Sequence, residues 1–334
     1  MKICVVGAGA IGGFLAMKFA VAGHDVSVVI RGANLKAVQA DGMTLVTEKG
    51  ERVTHRLTAT DRIADLPVQD VVILGMKAHQ VAPVAAELPV LLGPETVVVS
   101  MQNGIPWWYF HKHGGPYDGK IIEAVDPDGI ISRSIPAAAV IGSIAFPACE
   151  MEAPGVVRHV EGNRFPLGEI DGADTPRVRA LADAFRSAGF KTPVLSDIRS
   201  EIWLKLWGNV SFNPISALTH ATLQAICEYG PTRDLARTMM LEAQAVGTKL
   251  GVAFKVDVER RINGAQAIGQ HKTSMLQDVE VGRQLELDAL VRSVIELGRL
   301  TETPTPTVAQ VYALASLLAR TLVEQKARLR IEPV

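Results

Sequence analysis

The stretch MKICVVGAGAIGGFLAMKFAVAGHDVSVVIR, residues 1–31, decides the fold. Lys2 to Val6 is a short β-branched and apolar run, and it opens directly into Gly7-Ala8-Gly9-Ala10-Ile11-Gly12. An Ala-rich apolar segment from Ile11 to Ala22 reads as a helix, Gly23 ends it, and Asp25 to Ile30 reads as a second buried strand. A G-x-G-x-x-G pattern is weak alone. Placed between a strand and a helix in a unit of about thirty residues, it marks a dinucleotide-binding βαβ unit. Gly7 lets the chain turn out of the strand, Gly9 lets a pyrophosphate approach the backbone, and Gly12 lets helix and strand pack closely. The N–H groups that open the helix then face the anion. Ala8, Ala10 and Ile11 complete the cradle.

The end of the second strand carries the cofactor choice. An NAD-type fingerprint places Asp or Glu there to hold the ribose 2′-hydroxyl. This strand ends Val28-Val29-Ile30-Arg31, with no acid. A guanidinium attracts a 2′-phosphate that a carboxylate would repel. The cofactor is therefore read as NADP(H), with Arg31 as phosphate ligand. Elsewhere, the same arginine would be read as a solvated residue at a strand end.

With 334 residues the chain is long enough for two domains. A formal net charge of -1 gives no electrostatic argument for nucleic acid or for an anionic membrane. Cys4, Cys149 and Cys227 are few and widely separated, which suits a reduced, cytoplasmic compartment. The apolar N-terminal stretch is not read as a signal or anchor, because four glycines weaken it and Lys18 and His24-Asp25 interrupt it. No other candidate span is expected.

Asp70–Leu74 and Thr96–Ser100 read as further buried parallel strands, the first followed by a helix running from about Gln80 towards Leu92. In open α/β sheets ligands bind at the carboxyl ends of strands. Lys77, Gln80 and Asn103 lie just past such ends and are cofactor candidates for that positional reason. Residues 105–136 are irregular. Trp107-Trp108-Tyr109-Phe110 is read as packing, a lid or an interface, and His111-Lys112-His113 as a solvated loop. No partner at ligand spacing completes a metal site, so no metal is expected. Ala139–Phe146, Gly155–Val160 and Phe165–Ile170 read as strands, Pro176–Ala188 as a helix, and Phe190–Leu195 as the last strand. From about residue 197 helical periodicity dominates. The expected architecture is α/β: a Rossmann-type dinucleotide-binding domain over residues 1–196 and an all-α substrate domain over 197–334.

The chemistry is expected in the second half. Ser200 to Pro214 reads as a helix stopped at Asn213 by the proline. Lys205, Asn209 and Asn213 are spaced i, i+4, i+8, which puts a cation and two amides on one face. Ile202, Trp203, Leu206, Trp207, Val210 and Phe212 surround them, and a charge in such a setting is costly without a role or partner. Ser274-Met275-Leu276-Gln277-Asp278 forms a third stretch, with Glu286 twelve positions after Ser274. One straight helix would separate the two by about 18 Å, so the chain must bend, and Gly282 is the natural breaking point.

Taken together these residues resemble the ketopantoate reductase (2-dehydropantoate 2-reductase) family. The match runs from G-A-G-A-I-G through Met76-Lys77-Ala78-His79-Gln80 and Gln102-Asn103-Gly104 to the Lys205/Asn209/Asn213-Pro214 helix, then to Ser274–Asp278 with Glu286. The resemblance implies that Lys205 is the general acid that protonates the 2-oxo oxygen, and that Glu286 holds substrate or lysine. It implies that Asn209 and Asn213 bond the hydroxyl end of the substrate, and that Ser274, with Asn103, binds its carboxylate. Gly7, Gly9, Gly12, Arg31, Lys77, Gln80 and Asn103 would bind NADP(H). The Trp107–Ile135 region is longer and more aromatic than in compact members, and would reshape the substrate pocket.

Three functions follow from this reading. The first is NADPH-dependent reduction of 2-dehydropantoate to (R)-pantoate in pantothenate biosynthesis. The second is reduction of another 2-oxo or hydroxy acid on the same scaffold, and the third is a non-catalytic NADPH-binding sensor. Partners are a small 2-oxo acid, neither nucleic acid nor membrane, and a homodimer compatible with apolar surface on the helical domain and the aromatic segment.

Overall fold

The computed structural model describes residues 1–331. The chain divides into two compact units. The first comprises Met1–Gln102, Pro106–Ile121 and Asp126–Ile198. The second comprises Asn103–Ile105, Ile122–Val125 and the chain from Arg199 onward.

The first unit is built on eleven strands and four α-helices. In chain order these are β1 (Lys2–Val6), α1 (Ala10–Val21), β2 (Asp25–Val29), α2 (Gly32–Asp41), β3 (Met43–Val46), β4 (Arg52–His55), β5 (Thr58–Thr60), β6 (Gln69–Leu74) and β7 (Leu92–Ser100). They continue with α3 (Ile130–Ser134), β8 (Val140–Ser143), β9 (Ala148–Ala153), β10 (Val156–Glu161), β11 (Leu167–Glu169) and α4 (Pro176–Ser187). The main sheet has the order β11-β8-β7-β6-β1-β2-β5 and is parallel except for β11. A smaller sheet has the order β4-β3-β10-β9.

Register sets the ligand edge. Val6 pairs with Val29 on one side and Leu74 on the other, and Leu74 pairs with Ser100. The carboxyl ends of β1, β2, β6 and β7 therefore end in line, and the loops that follow share one edge of the sheet. From β1 the chain moves outward to β2 on one side and later returns to β6 on the other, which is the switch point where such sheets bind ligands.

Helix α1 contacts β1 and β2 of the main sheet and β3, β4, β9 and β10 of the small one. That double cover is why its sequence lacks a polar face: Gly12 to Met17, Phe19 and Ala20 are all buried, as expected of a helix apolar all round. Phe14, Phe19, Phe165, Phe185 and Phe190 interlock as edge-to-face and tilted pairs beneath it.

Several expectations change. The helix after Gln80 is instead two 3₁₀ segments, Ala78–Gln80 and Ala82–Leu91, because Pro83 and Pro89 remove α-type donors. Phe190–Leu195 forms only isolated bridges, Lys191 to Arg164 and Val194 to Leu167, since Pro193 cannot donate to a ladder. The aromatic segment is interior: Trp107, Trp108, Tyr109 and Phe110 are each at most 4% exposed. It is packing rather than lid, and it supplies no apolar surface.

The second unit holds α5 (Ile198–Thr219, whose first residue groups with the first unit), α6 (Leu223–Glu228), α7 (Gly230–Lys249), α8 (Val258–Ala267), α9 (Ser274–Val281), α10 (Ser293–Leu300) and α11 (Pro306–Glu324). Helix α5 does not stop at Asn213 but runs on through Pro214. Every residue from Val210 to Ala217 is buried, and that packing outweighs the cost of about 3 kcal/mol for an interior proline. Helix α11 has 19 residues and a mean hydropathy of 1.2, so by length and composition alone it meets the requirement for a membrane span, contrary to expectation. It packs on α7 and α10 and leaves Leu314 and Leu317 about 60% exposed.

Candidate active site

In the first unit the glycine turn is sterically specified. Gly7 has φ +91°, and a Cβ there would lie 2.7 Å from that of Met76. A Cβ on Gly12 would lie 2.1 Å from the Gly7 carbonyl oxygen. Gly9 differs: it precedes α1 without a side-chain cap, and nothing lies within 4 Å of where its Cβ would be. Open space over an uncapped helix N-terminus fits a pyrophosphate. Ala8 is buried, and Ala10 and Ile11 are partly so.

Arg31 is exposed just past β2, where its carbonyl accepts from Leu35 N at the start of α2, and its side chain has no hydrogen bond or ion pair among the described residues. Lys77 is partly buried after β6, and its backbone N–H donates to Gln80 Oε1 at 3.2 Å. Gln80 thus spends its carbonyl on the turn and keeps its amide N–H₂ for other contacts. Sequence reasoning missed Gln102. Its side chain donates to the carbonyls of Leu74 and Met76 and accepts from Ser100, stitching together the loops after β6 and β7.

The second unit gathers the proposed chemistry around α5. Lys205 Nζ donates to Asn103 Oδ1 at 2.8 Å. Asn213, buried, reaches Ser274 Oγ from its amide nitrogen at 3.5 Å. Ser274 is exposed in the first turn of α9, which Thr273 caps. Asn209 stands between Lys205 and Asn213 on the same helix face. Helix α9 ends at Gly282, whose φ of +71° turns the chain as the sequence spacing required. The chain then runs without regular secondary structure to Glu286, whose carbonyl accepts from Leu290 N as the next helix begins. Glu286 acts electrostatically on Lys205, so the structure brings lysine, glutamate and Asn103 together.

What holds Asn103 there was not visible in the sequence. The turn Asp288–Arg292 is a π-helix. The carbonyl of Ala289 accepts from Ile105 N at 3.0 Å and from Ser293 Oγ at 2.7 Å. Gly104 between them has φ +91°, and a Cβ there would lie 2.1 Å from the Ala289 oxygen. Only glycine allows the Asn103–Ile105 segment to lie on this turn, and the seating aims Asn103 at Lys205. Widened turns of this kind occur often at functional sites.

Burial lowers the Lys205 pKa from 10.5 to about 8; Glu286 opposes the shift and Arg261 adds to it. The amine is then poised to give and regain a proton near neutral pH. Arg261 was not anticipated. Its position i+3 from Val258, beside Ile262 and i−4 from Ala265, sets a charge in the apolar stripe of α8, and that was the available signal.

The two histidines of the 111–113 segment have polar neighbours of their own. His113 Nδ1 contacts the Gly114 carbonyl and His111 Nε2 lies 3.5 Å from Ser132 Oγ. Among the described residues no three His, Cys, Asp or Glu side chains converge to hold a metal.

Two family models match the chain, "Ketopantoate reductase PanE/ApbA" over residues 3–172 and its "C terminal" counterpart over residues 197–319. The chain belongs to the ketopantoate reductase family. A curated relative, the 2-dehydropantoate 2-reductase of Mesorhizobium japonicum, is 56% identical over 96% of this chain and 98% of its own. A crystal structure of a putative ketopantoate reductase from Ralstonia solanacearum superposes with a TM-score of 0.92 at 41% identity, covering 96% of this chain and 98% of the other. A D-mandelate dehydrogenase solved with NADH and anilino(oxo)acetate shares the fold at a TM-score of 0.82 and 20% identity, covering 97% of this chain and all of the other. The family's α/β domain with its dinucleotide-binding sheet and its helical domain are both present in this chain.

Proposed function

We propose that the chain reduces 2-dehydropantoate to (R)-pantoate with NADPH, in pantothenate biosynthesis. The observation that carries the proposal is Lys205: an amine with its pKa lowered to about 8, held by Asn103 and faced by Glu286. When bound, NADPH supplies the hydride to C2. The arriving hydride builds negative charge on the ketone oxygen, and the Lys205 ammonium stabilises that charge and donates its proton. The products are a 2-hydroxy acid and a neutral amine, which takes its proton back from water. Glu286 keeps the ammonium charged and oriented. Asn209 and Asn213 bond the hydroxyl end of the substrate, and Ser274 and the Asn103 amide nitrogen serve its carboxylate end.

The residues of the first unit fit the cofactor. Gly7 to Gly12, including Ala8, Ala10 and Ile11, cradle the pyrophosphate, as the open space over Gly9 allows. Arg31 takes the 2′-phosphate, and Lys77 and Gln80 bond the rest; Asn103, of the second unit, is assigned to the cofactor by the family resemblance. The test is steady-state turnover of ketopantoate with NADPH and NADH compared. NADPH should be preferred, and Arg31→Ala should raise KM for NADPH about 10- to 100-fold while sparing NADH. A wild-type preference for NADH refutes the Arg31 assignment. A substrate panel separates this function from reduction of another 2-oxo acid on the scaffold, and the Lys205–Glu286 pair, superfluous in a sensor, argues for turnover.

Three free thiols suit a cytoplasmic setting, with burial pushing Cys4 up to about 11 and Cys149 up to about 12. We read the exposed leucines of α11 as the seat of a second copy of this chain, in a homodimer.

A further inference from the structure

We propose that Arg261 is a further substrate-binding residue, which joins Ser274 and Asn103 on the carboxylate of the 2-oxo acid and sets the preference for acids over their neutral analogues. The inference rests on the proposed reductase function and deepens it. Arg261 lies in the apolar stripe of α8 and its side chain is partly buried. Its Nε is shielded from solvent and has no hydrogen-bond partner, and its guanidinium forms no ion pair among the described residues. The other buried-side arginine of this region is treated differently: Arg233 is satisfied by Glu259, Asn263 and Gln266. A desolvated Nε–H without an acceptor is costly, and the missing acceptor is the sign of an external one.

The guanidinium rests on α5 at Gly208. A Cβ on Gly208 would lie 2.8 Å from Arg261 Nη2 and 3.9 Å from its Nε. Glycine inside a helix costs up to about 1 kcal/mol against alanine, and here it makes room for the arginine. Gly208 is one turn past Lys205 and adjacent to Asn209, so the planar fork lies beside the amine and amide assigned to the substrate. Lys205 and Arg261 against Glu286 leave one unbalanced positive charge. A monoanionic substrate cancels it. The guanidinium can hold a carboxylate through two parallel N–H donors, a geometry that a hydroxyl or lactone carbonyl does not match.

The experiment compares ketopantoate with its neutral lactone in wild type, Arg261→Met and Arg261→Lys. Arg261→Met should raise KM for the acid about 10- to 100-fold with kcat little changed, and leave the lactone's KM unaltered, so that the acid preference disappears. Arg261→Lys should restore part of it. Binding of acid and lactone is followed in parallel by the fluorescence of Trp203 and Trp207 on α5, which needs no turnover. NADPH binding and circular dichroism report folding of each variant. Should Arg261→Met fail to fold, Gly208→Ala, which displaces the fork, is read in the same way. Equal losses for acid and lactone, or an unchanged KM for the acid, overturn the assignment. If wild type ignores ketopantoate but reduces another 2-oxo acid, the proposed substrate falls. The arginine is then judged by that acid and its ester.

Discussion

Replacing Lys205 by methionine is expected to stabilise the protein while abolishing turnover. The ammonium is charged in the unfolded chain up to about pH 10.5, but its folded pKa is about 8. At about 1.4 kcal/mol per tenfold change in proton affinity, keeping it charged in the fold at pH 7 costs about 3 kcal/mol. Methionine is of similar length and carries no charge, so it removes that cost. Against it stands the bond to Asn103, worth about 1 kcal/mol; the attraction of Glu286 is already contained in the lowered pKa. The expected net is about 1–2 kcal/mol of added stability, or a rise of a few degrees in Tm. The sign with pH follows from proton counts. Between about pH 8 and 10.5 the unfolded chain binds the extra proton, so wild type gains stability as pH rises. The advantage of Lys205→Met should therefore be full below about pH 8, vanish at about pH 9–9.5 and reverse by about 10.5. Thermal melts of both proteins from pH 6.5 to 10.5 measure it, alongside NADPH oxidation, which should fall about 10²- to 10⁴-fold. A variant less stable than wild type at pH 7, or a gap that does not change across this window, would refute the reasoning.

Other perturbations have equally defined outcomes. Because the acid works only when protonated, kcat/KM for reduction should fall as pH rises above about 8, tenfold per unit, and a flat profile to pH 10 would remove Lys205 from the proton step. Gly104→Ala must hold a Cβ against the Ala289 oxygen at positive φ. It should cost about 3 kcal/mol or more in denaturant melts and lower kcat by displacing Asn103. Leu314→Glu with Leu317→Glu should convert a dimer to a monomer in light scattering, with Tm of the monomer nearly unchanged; an unaltered mass would exclude α11 as the contact.

The first domain was legible because its signals are local. Strand, glycine turn and helix fall within thirty-one residues, and the apolar periods of β6 and β7 are short and complete. The lysine helix was legible too, since Lys205, Asn209 and Asn213 share a face by spacing alone. What sequence hid depends on distant partners. Gly104 needs to be glycine because of Ala289, and Gly208 because of Arg261; neither requirement is written near the residue itself. Pro214 misled because local geometry says a helix ends there, while burial on all sides decides otherwise. The aromatics at 107–110 gave their chemistry but not their side, as a run of four large rings is equally at home in a core and at an interface.

The excursions of the chain at 103–105 and 122–125 have a consequence for dissecting or recombining this protein. Ala289 holds the first through Ile105, and Glu296 holds the second by accepting from the backbone N–H groups of Glu123 and Ala124. A fragment beginning at Arg199 would therefore lack the Asn103 oxygen that accepts from Lys205 and leave the Glu296 carboxylate without its two donors. A chimera joined once near residue 198 would pair the helices of one parent with the inserted segments of the other. Modules that interchange faithfully must be cut at five places, and the inherited unit is spatial rather than contiguous along the gene.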